Sequence, residues 1–87
     1  MGSKTFDGVR FSAYTDDHLP AHIHGKYAET EVLIELLPGG KVIQSSRNDA
    51  IRPIDAKRSD VRRILSMAAL HATELQEIWE KVHGSAS

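Results

Sequence analysis

Eighty-seven residues, 40% apolar and 26% charged, describe a single small globular domain, because a chain of this length buries roughly 60–65% of its unfolded surface and has no room for a second lobe. With no cysteine, disulfides and thiolate metal sites are excluded, so any transition-metal site must be built from imidazole and carboxylate. No apolar run approaches the roughly 18–20 residues of a membrane span and no signal-peptide core opens the chain, which sets the expectation of a cytoplasmic protein without a membrane partner.

The expected domain spans 1–87 with an ordered core of about 6–83; Met1-Gly2-Ser3 and Gly84-Ser85-Ala86-Ser87 read as a frayed start and tail. Asp7-Gly8 is a turn, and residues 9–14 alternate with period two, placing Val9, Phe11 and Ala13 on one face of a first strand. Residues 16–21 connect it to a second strand, 22–27. In the third, 31–37, Val32, Ile34 and Leu36 alternate with Leu33, Glu35 and Leu37, so both faces are partly apolar and the strand is expected to be central. Pro38-Gly39-Gly40 reverses the chain, and 41–44 returns as a fourth strand. Short connections make an antiparallel meander the simplest arrangement.

Residues 45–57 carry few apolar side chains and include Pro53, so they read as a polar link. The net charge of −1 hides a segregation that is centred here. Residues 1–46 hold four basic and six acidic side chains, 47–63 hold six and three, and 64–87 hold one and three, which gives −2, +3 and −2. The middle segment is the candidate basic patch.

From Ser59, a candidate N-cap, to His83, the residues Val61, Ile64, Leu65, Ala68, Ala72, Leu75, Ile78, Trp79 and Val82 recur at three- and four-residue spacing. That predicts one amphipathic helix of about 37 Å, stopped by Gly84. Such a helix outruns a small sheet, so it must overhang, kink or pack against a partner chain. The expected fold class is α+β: a three- or four-stranded antiparallel sheet packed against one long C-terminal helix.

Chemistry concentrates in Asp16-Asp17-His18-Leu19-Pro20-Ala21-His22-Ile23-His24, which packs three of the five histidines into nine residues. On a strand, His22 and His24 project from the same face, about 6.5–7 Å apart at their Cα atoms, while Ile23 points the other way. Such a pair can chelate one ion or serve one phosphate as acid and base. His71 falls on the apolar stripe of the helix with Glu74 at i+3. If that stripe faces the sheet where His22 and His24 project, His71 or Glu74 joins them; otherwise His71 is a packing residue.

Two runs together resemble an uncharacterised bacterial family, number 4160 among the domains of unknown function. Its members carry Asn-Asp-His-x-Pro-Pro-His-x-His after the first strand and His-x-x-Glu-Leu-x-x-x-Trp late in the helix. The first corresponds to residues 16–24 here, with Asp16 for the asparagine and Ala21 for the second proline. The second corresponds to His71, Glu74, Leu75 and Trp79. The resemblance implies a setting in a toxin–antitoxin pair, as the toxin beside a small antitoxin protein. It assigns chemistry to no histidine.

Three functions fit these residues. A toxin-like ribonuclease would use His22 and His24, with His71, as acid and base, and Arg58, Arg62 and Arg63 as contacts to RNA phosphates. A metal-binding domain would hold zinc through His22, His24 and one of His18, His71 or Glu74. A non-catalytic interaction module would bind a partner, or a second copy of the chain, through the long helix.

Overall fold

The computed structural model describes residues 2–14 and 20–84. Among the described residues, six strands form one sheet: β1 (Gly2–Phe6), β2 (Val9–Ala13), β3 (His22–Tyr27), β4 (Thr30–Leu37), β5 (Lys41–Gln44) and β6 (Ile51–Arg52). All pairings are antiparallel, in the order β1-β2-β3-β4-β5, with β6 also on β4. Two helices follow, α1 (Arg58–Leu70) and α2 (Ala72–His83). The α+β class and the meander match the sequence reading; the strand number and the single helix require correction.

One added strand is β1, which takes in Gly2 and Ser3 of the expected frayed start. Asp7 (φ 54°) and Gly8 (φ 84°) are both left-handed, the geometry of a two-residue hairpin turn whose twist matches that of the flanking strands. This turn pairs Phe6 with Val9 and carries the ladder back to Gly2 opposite Ala13. β6 lies inside the expected polar link. Leu33 donates its N–H to the Ala50 carbonyl (2.7 Å) and accepts from the Ser45 N–H (2.9 Å), so the 45–50 segment bulges out of the edge beside β4.

The expected 37 Å helix breaks at His71 (φ −112°, ψ 30°). Its two pieces, of 13 and 12 residues, are about 20 and 18 Å long and so fit the sheet. α1 lies over β4, β3 and β5, and α2 over β1 and β2. The cap of α1 is Lys57, not Ser59, and it makes no side-chain capping bond; Thr30 instead ties the first turn to the sheet by donating to Asp60 (3.5 Å). Gly84 (φ 65°) closes α2 as expected.

Both helices cover the same face of the sheet. Val9, Phe11 and Ala13, Ile23, and Val32, Ile34 and Leu36 pack there against Ile64, Ala68, Leu75, Ile78 and Trp79. Gly25 belongs to this face as well, directly beneath Ile64. Strand alternation therefore sends His22 and His24 to the opposite face, whose His22 end is reached by Trp79 of α2. Leu33 shares that face and is nevertheless buried, as are Ser45 and Ala50 of the bulge.

Candidate functional site

β3 carries the paired histidines with Ile23 locked into the core between them. The paired register of β2 and β3 runs from Arg10 opposite Lys26 to Ser12 opposite His24, so it stops two residues short of His22. At this end of the sheet the rings gather. The His22 and His24 centroids are 5.5 Å apart, Tyr14 meets His24 edge-on at 4.8 Å, and Trp79 comes to 5.6 Å from His22. His83, one turn beyond Trp79 on α2, stacks on the indole at 3.8 Å, with its Nε2 buried.

Oxygen acceptors orient both sheet histidines. His22 Nδ1 lies 2.9 Å from the Pro20 carbonyl, which can only accept, so Nδ1 carries the proton and Nε2 is the basic nitrogen of the neutral ring. His24 Nδ1 lies 3.3 Å from Glu31 Oε2, with side-chain exposures of 24% and 37%. The carboxylate accepts from Nδ1–H and fixes the orientation of the ring. His24 Nε2 is buried, so this ring presents Nδ1, together with Glu31, to its surroundings.

The helix histidine that nears the pair is His83 rather than His71. His71 stacks flat on Phe6 at 3.8 Å and 8°, with Glu74 at 3.8 Å from its Nδ1. Phe6 sits opposite Val9, three positions along β2 from Ser12 and His24, or about 10 Å along the strand. Phe6 also lies on the helix-covered face, while His24 lies on the opposite one. Glu74 therefore stands with His71 and apart from His22 and His24. The i,i+4 spacing of Trp79 and His83 was the available sign that His83 shares a helix face with the tryptophan. His18, with Asp16 and Asp17, lies outside the described residues. Among the described residues, no three His, Asp or Glu side chains are grouped to hold a metal ion.

The helix arginines are also elsewhere. Arg62 and Arg63 line an open groove with Tyr27, Ser59 and Asp60 at the opposite end of β3. There Arg63 lies over the Tyr27 ring at 4.9 Å and donates to the Asp7 carbonyl at 3.5 Å. Arg58 is exposed at the start of α1. The arginines that share a cavity lining with His24 are Arg47, on the bulge, and Arg52, on β6. Asp49 accepts from both, at 3.1 and 3.0 Å. The Arg52 hydrogen bond, with the nearby Arg47 charge, lowers the Asp49 carboxyl below its ordinary value. Because that value is depressed, the tether is complete above the ordinary carboxylate range and is lost only as the pH falls through the lowered value.

The ring stack gives a direct optical test, because Trp79 is the sole tryptophan. Protonating His83 or His22 places a cation against the indole. Emission should change on acidification of the folded protein, and His83→Gln should remove most of that change. Emission independent of pH in folded protein would contradict the stacking.

A family model described as Domain of unknown function (DUF4160) matches residues 8–80. No curated protein and no solved structure matches the chain. No helix among the described residues is long and apolar enough to cross a membrane.

Proposed function

We propose that this chain, which belongs to the DUF4160 family, is a toxin-like ribonuclease in which His22 and His24 move the protons. One observation carries the reading: two imidazoles 5.5 Å apart on one face of a sheet, each with Nδ1 held by an oxygen acceptor. Nε2 of His22 takes the proton of a ribose 2′-hydroxyl as its oxygen attacks the adjacent phosphorus. The bond from phosphorus to the 5′-oxygen breaks, and imidazolium His24 gives that oxygen its Nδ1 proton, which leaves its hydrogen bond to Glu31 as it transfers. The products are a 2′,3′-cyclic phosphate and a free 5′-hydroxyl. Glu31 is a positioning residue that holds the His24 ring through Nδ1. In the toxin–antitoxin setting that the family resemblance suggests, the partner is a small antitoxin protein that occludes this face.

The test is a single-stranded RNA oligonucleotide beside its all-2′-deoxy counterpart, each incubated with purified protein. RNA is expected to yield cyclic-phosphate ends and the deoxy strand to stay intact, because it lacks the attacking hydroxyl. Equal cutting of both strands, or of neither, overturns the proposal.

A further inference from the structure

On the face that carries His24, the sheet and the bulge enclose a cavity of about 70 Å³. His24 and Glu31 of the sheet line it together with Arg47, Asp49 and Arg52. The volume exceeds what one water needs and suits a tetrahedral oxyanion. We infer that this cavity is a phosphate-binding subsite, in which Arg47 and Arg52 grip a phosphate group beside His24. The inference rests on the ribonuclease reading only in naming an RNA phosphate as the natural occupant.

Three features of the cavity support an anion. Its lining brings three basic side chains against two carboxylates. Both carboxylates are already engaged: Asp49 takes one N–H from each guanidinium, and Glu31 takes Nδ1–H of His24. A guanidinium has five N–H donors, so each arginine keeps four after serving Asp49, in the fork that matches phosphate oxygens. The lining is also held in place. Leu33 bonds the bulge through both Ser45 and Ala50, and Ser45 Oγ accepts from the Arg47 N–H at 3.2 Å. Asp49 ties the two guanidiniums to one oxygen, Oδ2, so the donors are gathered before a ligand arrives.

Titration with inorganic phosphate, followed by amide chemical shifts, tests this directly. Saturable shifts centred on residues 47–52 and on His24 are expected. Arg52→Gln and Arg47→Gln should each weaken binding by about 10-fold or more, whereas Lys81→Gln, on exposed α2 surface, should leave it unchanged. Arg52→Lys, which keeps the charge and loses the fork, should recover only part of the loss. Both arginines are exposed, so the glutamine variants are expected to keep the wild-type melting temperature. Phosphate binding at these arginines in a protein that cuts no RNA would support the subsite while removing the ribonuclease reading. Absence of saturable shifts, or binding indifferent to both glutamine variants, overturns the inference.

Discussion

His22→Asn and His24→Asn are each expected to lower RNA cleavage by about 10²–10⁴-fold, the usual contribution of one acid or base group. The double variant should lose little beyond the worse single change, because the two rings act on one event. Neither side chain belongs to the buried core, so melting temperatures should stay within a few degrees of wild type. Glu31→Gln keeps the shape and a hydrogen-bonding oxygen but weakens the hold on the His24 ring by replacing a charged acceptor with a neutral one. Its expected signature is a moderate loss of rate, smaller than that of His24→Asn, at an unchanged melting temperature. His71→Asn should leave the rate within a few-fold, since that ring stacks on Phe6 at the far end of β2. A folded double variant that cuts at the wild-type rate would remove the histidines from the chemistry.

Gly25→Ala is expected to be the most damaging small change to the fold. A Cβ built there would lie 2.6 Å from Ile64 Cγ2, 3.0 Å from Phe11 Cε1 and 3.3 Å from Ile34 Cδ1. All three side chains are fully buried and none can swing into solvent. The added methyl must lift α1 from the sheet or push these residues off their rotamers, at a cost of about 1–3 kcal/mol. For a domain of this size that corresponds to a fall in Tm of roughly 5–20 °C. Ile64→Ala alone should cost about 2–5 kcal/mol through the cavity it opens. Combining the two should cost less than their sum, because the alanine at 64 makes room for the new Cβ. Additive losses in thermal or urea unfolding would show that the helix does not rest on Gly25.

Gly25 also marks what the sequence made legible and what it hid. Alternation exposed β2 and β4, whose apolar residues face a single covering layer, and the same rule correctly set His22 and His24 on one face. Which face was hidden: Ile23 and Gly25 sit under α1, and a glycine carries no hydropathy signal for burial. β1 escaped because Ser3, Lys4 and Thr5 are exposed on an edge strand, where pairing to β2 and not apolar alternation makes the strand. Asp7-Gly8 was nonetheless a hairpin signal, and a hairpin needs a strand on each side. The break at His71 left no trace, because Ala68, Ala72 and Leu75 keep their spacing across it and no glycine or proline intervenes. That break is what turns His71 toward Phe6 while the second helix delivers Trp79 and His83 to the histidine end of the sheet. The basic segment was recognised from composition, but its arginines divide. Arg47 on the bulge and Arg52 on β6 come to the His24 cavity, whereas Arg62 and Arg63 stay on the α1 side, a division set by three-dimensional pairing of residues 45–52 with β4.

The pH dependence of RNA cleavage puts the most direct question to the paired histidines. A base that must be neutral and an acid that must be protonated predict a bell-shaped rate profile, with His22→Asn flattening the acidic limb and His24→Asn the alkaline one. A profile with one limb in wild type, or a bell that persists unchanged in both variants, would contradict proton transfer by His22 and His24.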